Sequence, residues 1–194
     1  ICIFSNDYDF VKSCLQLDID NKFVVVETGK LEPKIKELIK TYRCHFREID
    51  KNSLSSQVPE VDIGMMFGFG IKLTSEIIGR HKHGVINAHP GNLTLFRGRH
   101  PIGWALIERE PEIILTFHKI TKDFDLGLII KEISIQVDEL DTERTLIKKV
   151  RSHFSKSIFL EIFNNLKNTD IKGIIENGRY LPTLAGKFDD ILSE

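Results

Sequence analysis

The feature that most constrains the fold is a regular alternation between short apolar runs and amphipathic stretches. Each apolar run is followed by polar turn residues and then, in most cases, by a segment with helical spacing of its apolar residues. The predicted strands of the first half cover residues 1–4, 23–26, 44–49, 61–67 and 84–88. Strands that alternate with helices favour a parallel, doubly wound sheet. The sequence therefore predicts an α/β fold, with a Rossmann-like, mostly parallel β-sheet flanked by helices.

The second half predicts two more strands, over residues 113–119 and 128–137, and one long helix capped by Asp141 or Thr142. The apolar residues of that helix recur at every fourth position, which gives it one apolar face. They are Leu146, Val150, Phe154, Ile158, Ile162 and Leu166.

We expect a single domain over residues 1–194, in which residues 168–194 form a C-terminal extension whose structure the pattern does not predict. The chain opens inside an apparent strand at Ile1, so we also expect residues to precede it.

Composition bounds the partners and the compartment. A formal net charge of −1 over 194 residues leaves no broad basic field for nucleic acid. Three cysteines without CxxC spacing indicate reduced thiols, and no long apolar run or signal peptide appears. His81 and His83 flank a lysine in a polar loop and are predicted to be surface residues, with no metal site. We therefore expect a cytoplasmic protein with no nucleic-acid partner and no membrane contact.

The most informative polar residues follow the fifth predicted strand. Asn87 and His89 stand two residues apart at its end, so their side chains point to the same side. Ligands of open α/β sheets bind beyond the carboxyl ends of the strands. A neutral amide and an imidazole there suit a developing negative charge on a carbonyl oxygen. The alternative is a turn that contains a hydrogen-bonded structural histidine.

A second acidic loop follows the strand of residues 113–119. Asp125 precedes Gly127, and a glycine there lets the backbone turn or lets a neighbour approach closely. A carboxylate at such a turn can orient a histidine and tune its pKa. The alternative is an Asx turn, in which the aspartate caps its own loop.

Together these motifs resemble the folate-dependent formyltransferase family. The matching elements are Asn87-Ala88-His89-Pro90, Arg97-Gly98 and the later run Asp125-Leu126-Gly127-Leu128-Ile129-Ile130. Residues 96–106, with the pattern R-x-P-x-x-W-A, most resemble the sugar-nucleotide N-formyltransferases. The resemblance implies the formyltransferase fold for most of the chain, from Ile1 to the start of the long helix.

The resemblance also implies a reaction. It is transfer of a formyl group from the co-substrate 10-formyltetrahydrofolate to the amine of a nucleotide-linked amino-dideoxy sugar (dTDP-, UDP- or GDP-linked). Enzymes of this kind serve lipopolysaccharide O-antigen biosynthesis and form homodimers. The alternatives are a phosphoribosylglycinamide formyltransferase-like activity, a formyltetrahydrofolate hydrolase, or a non-enzymatic folate binder. Methionyl-tRNA formyltransferases share the motifs but add a nucleic-acid-binding domain, which the near-neutral charge disfavours.

Three catalytic roles follow from the resemblance. Asn87 would donate a hydrogen bond to the oxyanion, and His89 would stabilise it or shuttle a proton. Asp125 would hold His89 and favour its charged form. For His118, on a predicted strand, two roles are open: a site residue, since the family often has a histidine here, or a structural histidine.

The resemblance further implies two walls around the pterin of the folate. The cofactor-binding residues are Phe67, Gly68, Phe69, Gly70, Ile71, Thr121, Lys122, Asp123 and Phe124. For the two phenylalanines of the first wall, the alternative is core packing.

The acceptor is expected near the sheet edge, where arginine suits a diphosphate. The substrate-binding candidates are Asn6, Asp7, Tyr8, Arg97, Gly98, Arg99 and His100. For the two arginines and His100, the alternative is helix capping and solvent exposure; Asp7 is also a candidate helix cap.

Overall fold

The computed structural model of the chain describes residues 1–121, 127–167, 172–174 and 179–181. Its strands are β1 (Cys2–Ser5), β2 (Phe23–Glu27), β3 (His45–Ile49), β4 (Gly64–Phe67), β5 (Val85–His89), β6 (Arg97–Gly98), β7 (Glu112–Lys119), β8 (Leu128–Gln136), β9 (Lys172–Ile174) and β10 (Tyr180–Leu181). Its helices are α1 (Tyr8–Leu15), α2 (Pro33–Thr41), α3 (Leu54–Gln57), α4 (Ser75–Gly79), α5 (Pro101–Ile107), α6 (Glu143–Ser152) and α7 (Lys156–Lys167).

In the described residues, eight strands form one sheet in the order β3-β2-β1-β4-β5-β7-β8-β9. Strands β1 to β5 run parallel, and β7, β8 and β9 extend the sheet in antiparallel fashion beyond β5. The predicted α/β fold with a parallel sheet is therefore confirmed. Because the carboxyl ends of the five parallel strands share one edge, the polar turns after them meet there.

The central strands are apolar on both faces because helices or loops cover both. Alternate residues of β1 and β2 enter two different clusters, with Ile3 and Val24 on one side and Phe4 and Val25 on the other. A strand buried on both faces reads as a continuous apolar run rather than an alternation. This explains why the run of residues 23–26 identified β2 from the sequence.

The predicted long helix is wrong in one respect, because the chain breaks between α6 and α7. Thr142 caps α6 as predicted, and its side chain accepts a hydrogen bond from the Thr145 amide. After Ser152 the chain turns so that Phe154 packs edge-on against Phe10 and Phe67. The apolar residues on both sides of the break face the same core, so their spacing hides the break.

The C-terminal extension predicted over residues 168–194 lies mostly outside the described residues. The described pieces of it are two short strands. One, β9, adds to the edge of the sheet at β8, and the other, β10, pairs with β6 in a separate two-stranded ribbon. The domain boundaries themselves stay a prediction.

His81 is not the surface residue that its polar neighbours predicted. Its side chain is buried, its Nδ1 lies 2.8 Å from the Ile77 carbonyl oxygen, and its ring packs against Phe4. Local sequence polarity failed here because the ring is covered by Phe4, which is distant in the chain, and is hydrogen-bonded to the last turn of α4. The cysteines Cys2 and Cys14 are buried and Cys44 is half-buried, and burial raises the pKa of each thiol.

Candidate active site

A cleft of about 350 Å³ opens where the chain leaves β2, β4 and β5. It lies at the carboxyl edge of the parallel strands, where the doubly wound fold places ligands. The cleft brings together nine of the residues predicted from the sequence. These are Gly68, Phe69, Gly70, Ile71, Asn87, His89, Gly98, Arg99 and Thr121.

Asn87 is held from behind by a histidine on the neighbouring strand. It lies directly opposite His118 in the antiparallel pair of β5 and β7. Its Nδ2 lies 3.2 Å from Nε2 of the fully buried His118 ring. With the amide in this orientation, Asn87 donates and His118 accepts, which leaves the second amide hydrogen of Asn87 for another acceptor.

His89 is buried, and its ring orientation is fixed. Its Nε2 donates to the carbonyl oxygen of Phe96 at 2.7 Å, because a carbonyl can only accept. Gly91 makes this bond possible, since a Cβ there would lie 2.6 Å from Pro101 and 3.0 Å from the His89 Nε2. The carbonyl of Gly91 is in turn held by Thr116 Oγ1 at 3.0 Å. The glycine of the HPGN turn thus serves the histidine two residues before it.

The second predicted loop is described only at its two ends. Asp125, and the predicted pterin-wall residues Lys122, Asp123 and Phe124, lie outside the described residues. Gly127 has a φ of +155°, and a Cβ there would lie 1.8 Å from the Lys119 carbonyl oxygen. The close approach that the glycine permits is therefore that of the adjacent strand.

Of the first predicted pterin wall, only the residues of the loop after β4 border the cleft. Phe67 does not line the cleft. It is 4% exposed, and its ring centroid lies 4.7 Å from that of Phe154. The prediction for Phe67 is thus corrected to core packing. Phe69 and Ile71 do border the cleft, and Gly68 turns the chain into it with a φ of +59°.

The two arginines around Gly98 are in different places. Arg99 lines the cleft, whereas Arg97 does not. Gly98 has a φ of +99°, so the alternation of a regular strand does not put the two side chains on one side. His100 also does not line the cleft; it is exposed, with a φ of +60°, and stands immediately before α5.

Of the predicted sugar contacts after β1, Asp7 is corrected to a structural role. One of its oxygens caps α1 by accepting from the Phe10 amide at 3.0 Å, and the other accepts from Arg151 Nε at 2.6 Å. Tyr8 begins α1 and does not border the cleft. Asn6 does not border it either, but bonds to Glu27, which does.

The cleft also contains residues that the sequence did not single out, among them Glu27, Lys30 and Tyr180. Glu27 ends β2 and Lys30 follows it, and only their position at a strand end could have indicated them. Tyr180 comes from β10, which lies about 80 residues beyond its partner β6 in the chain. Its ring packs on Gly98, where a Cβ would lie 3.2 Å from it and 2.8 Å from the Leu181 carbonyl oxygen.

Within the described ranges, no group of three or more His, Cys, Asp or Glu side chains could hold a metal ion. In the same part of the chain, each helix is too short or too polar to cross a membrane.

A family model described as "Formyl transferase" matches residues 22–162, which is well over half of the chain. The chain belongs to the formyl transferase family. The resemblance drawn from the Asn-x-His-Pro and Asp-x-Gly motifs is confirmed, and the expectation of a formyltransferase enzyme holds at the level of the family. The matched range includes Asn87 and His89 as well as the loop after β4.

Curated relatives match only part of the chain and a smaller part of themselves. The methionyl-tRNA formyltransferase of Ehrlichia ruminantium (strain Gardel) is 28% identical over 107 residues, which are 55% of this chain and 35% of that protein. The matched region thus spans about a third of the length of that relative.

Solved structures share the fold at low sequence identity. Phosphoribosylglycinamide formyltransferase from Bacillus halodurans is 20% identical, with a TM-score of 0.71 over 87% of this chain and 95% of that one. WlaRD, described as a sugar 3N-formyl transferase in the presence of dTDP and 5-N-formyl-THF, is 17% identical. Its TM-score is 0.69 over 93% of this chain and 68% of that chain. The fold is therefore common to members that differ in acceptor.

Proposed function

We propose that the chain transfers a formyl group from 10-formyltetrahydrofolate to an amine. The observation that carries this proposal is that Asn87 and His89 border the same cleft as the glycine-spaced loop of residues 68–71. An amide donor and an imidazole beside apolar walls suit a carbonyl whose oxygen becomes negative during the reaction. Family membership supports the same chemistry.

In the proposed reaction, the free amine attacks the formyl carbon and a new C–N bond forms. The carbonyl oxygen becomes an oxyanion, and the attacking nitrogen loses a proton. The C=O bond then re-forms as the bond to the folate nitrogen breaks and that nitrogen gains a proton. Asn87 has one amide hydrogen directed at His118 and can offer the other to the oxyanion. His89 donates through Nε2 to Phe96, so a proton that it exchanges would reside on Nδ1. Asp125 as the partner that holds His89 remains part of the proposal.

For the acceptor, we propose a nucleotide-linked amino-dideoxy sugar. Arg99 borders the cleft and suits bidentate contact with a diphosphate, and the exposed ring of Tyr180 beside it suits a flat nucleobase. The net charge of −1 does not favour a tRNA, whose binding depends on many phosphate contacts. A nucleotide handle would add remote binding energy that orients the amine. WlaRD, a sugar 3N-formyl transferase whose structure was determined in the presence of dTDP, supports this acceptor class.

A formyl-transfer assay with a panel of acceptors tests the proposal. We expect turnover with dTDP-, UDP- or GDP-linked amino sugars and slower turnover with glycinamide ribonucleotide, charged initiator tRNA or water. Faster turnover with glycinamide ribonucleotide would keep the reaction but replace the acceptor. Faster release of formate than transfer to any amine would indicate a hydrolase. A homodimer and a cytoplasmic location stay predictions, which mass in solution and cell fractionation check.

A further inference from the structure

The carboxylate at the end of β2 is bound from three sides. Glu27 Oε1 accepts from Asn6 Nδ2 at 2.5 Å and from the Gly70 amide at 2.8 Å. Its Oε2 accepts from Lys30 Nζ at 2.8 Å. The Glu27 side chain is only 12% exposed and borders the cleft.

Asn6 completes this arrangement from the end of β1. Its Oδ1 accepts from the Glu27 amide at 2.9 Å, and its Nδ2 also approaches the Gly68 carbonyl oxygen at 3.3 Å. We call Asn6, Glu27 and Lys30 the loop latch. The latch binds one backbone acceptor and one backbone donor of the loop after β4, on either side of Phe69.

The loop itself has little conformational preference of its own. Glycine has access to both signs of φ, so Gly68 and Gly70 permit many backbone shapes around Phe69. At Gly68 a Cβ would have no heavy atom within 4 Å, so packing does not fix the backbone there. At Gly70 a Cβ would lie 3.1 Å from Glu27 Oε2, so the missing side chain lets the carboxylate come close.

We propose that Glu27 and Asn6 are positioning residues, which hold residues 68–71 in the shape that receives the pterin of the folate. The inference rests on the proposed function, because the ligand of this loop is the proposed co-substrate. Neither residue takes part in bond making. Each acts through the backbone of the loop that carries Phe69 and Ile71 into the cleft.

The latch is charged near neutral pH. Partial burial alone would raise the pKa of the Glu27 carboxyl, but the hydrogen bonds from Lys30, Gly70 and Asn6 outweigh burial and hold that pKa below its ordinary value. The carboxylate is therefore ionised under ordinary assay conditions, and its bonds are of the stronger, charge-assisted kind.

The test compares Glu27→Ala and Asn6→Ala with Glu48→Ala in the full chain. Glu48 is a matched control because it is an exposed glutamate on the neighbouring strand, 3.4 Å from the Gly29 amide and not on the cleft. The probe is 5-formyltetrahydrofolate. In Glu27→Ala and Asn6→Ala, loss of hydrogen bonds that hold the loop should raise the Kd for 5-formyltetrahydrofolate about tenfold to a hundredfold. The Glu48→Ala variant should bind like the wild type.

A second measurement tests the latch without folate. Hydrogen exchange at the Gly70 amide should be slow in the wild type and in Glu48→Ala, and fast in Glu27→Ala. The double variant Asn6→Ala/Glu27→Ala should bind folate no worse than whichever single variant binds it less tightly, since both residues act on the same loop.

In turnover assays of Glu27→Ala and Asn6→Ala, the KM for folate should rise, while kcat and the KM for the acceptor change little. Unchanged folate affinity in Glu27→Ala, with a wild type that binds, would overturn the latch alone. A wild type that binds no folate would overturn the proposed function, and with it the role of the latch. Equal rates of hydrogen exchange at the Gly70 amide in the wild type and all variants would overturn the latch, regardless of the result for folate binding.

Discussion

The two ends of β5 each hold a buried histidine, and the comparison shows what marks a site in this fold. His81 precedes the strand and His89 ends it, with exposures of 3% and 5%. Each ring bonds to a backbone carbonyl, His81 to Ile77 at 2.8 Å and His89 to Phe96 at 2.7 Å. The two residues are thus alike in burial and in having one ring nitrogen on a backbone carbonyl, Nδ1 for His81 and Nε2 for His89.

They differ in what surrounds the rest of the ring. His81 packs against Phe4 and does not border the cleft, whereas His89 borders it and faces the His118 ring at a centroid distance of 6.4 Å. The difference follows from strand direction, because an open α/β sheet binds its ligands beyond the carboxyl ends of its parallel strands, and His81 lies at the opposite end of β5. In this chain the end of the strand, more than the chemistry of the side chain, separates structural from candidate catalytic histidine.

The largest expected effect comes from Asn87→Ala, at the carboxyl end of β5. Removing one oxyanion donor should lower kcat roughly a hundredfold to a thousandfold. The side chain is half-buried, and its loss also removes its hydrogen bond to the buried His118 ring, so the Tm should fall modestly and kcat should be compared per folded molecule. His89→Gln should show a loss of similar size while a side-chain amide remains to donate to Phe96. Near-wild-type turnover in both variants would show that neither Asn87 nor His89 takes part in the reaction.

The other end of β5 should give the opposite result. His81→Ala removes a buried ring from between Phe4 and α4, and the cavity should cost about 2–4 kcal/mol in free energy of unfolding. Turnover per folded molecule should match that of the wild type. Urea unfolding gives the first quantity and kcat below the transition gives the second. A stable His81→Ala with reduced kcat would mean that the strand ends are coupled.

The same distinction explains which parts of the fold were accessible to sequence reasoning. The parallel strands could be predicted, because burial on both faces leaves a continuous apolar run such as Val24 to Val26. The break between α6 and α7 was not, because its cause is the packing of Phe154 on Phe10, about 140 residues earlier in the chain. The burial of His81 was missed for a similar reason, since a distant aromatic ring covers it.

Within the site, motifs predicted the groups at β5 but not the groups that support them. Asn87 and His89 are marked by their strand end, and both border the cleft. Asp7 matched two patterns, helix cap and sugar contact, and the structure decides for the structural one, because one oxygen caps α1 and the distant Arg151 takes the other. Glu27 carries no local signal beyond its strand end and Tyr180 carries none, because Glu27 bonds across the sheet and Tyr180 reaches the cleft from the far end of the chain.

A smaller effect distinguishes two arginines only two residues apart. Arg99 borders the cleft and Arg97 does not, because Gly98 turns the backbone between them. Arg99→Ala should raise the KM for the sugar nucleotide about tenfold and leave the folate KM unchanged, as expected for one lost charged contact. Arg97→Ala should change neither KM. Equal effects of the two variants would show that charge near the cleft, and not contact, attracts the diphosphate.

The smallest effect is a pH dependence at the structural end of β5. Burial lowers the pKa of His81 and outweighs the hydrogen bond to Ile77, which alone would raise it. In the unfolded chain the histidine has its ordinary pKa of about 6.5, so the ring takes up a proton as the pH falls below that value. In the native state the ring stays neutral there. The native state therefore loses stability as the pH falls from there towards the lowered native pKa, and the loss is absent above that window.

His81→Gln cannot take up that proton, yet it keeps a side chain that can donate to the Ile77 carbonyl. Its free energy of unfolding should therefore change less than that of the wild type between neutral and mildly acidic pH. His89 and His118 remain in both proteins, so subtracting the two unfolding curves isolates His81. Parallel curves across this range would show that the native ring takes up its proton as readily as the unfolded one. The neutral, structural state assigned to His81 would then be wrong, and the contrast with His89 would rest on the cleft alone.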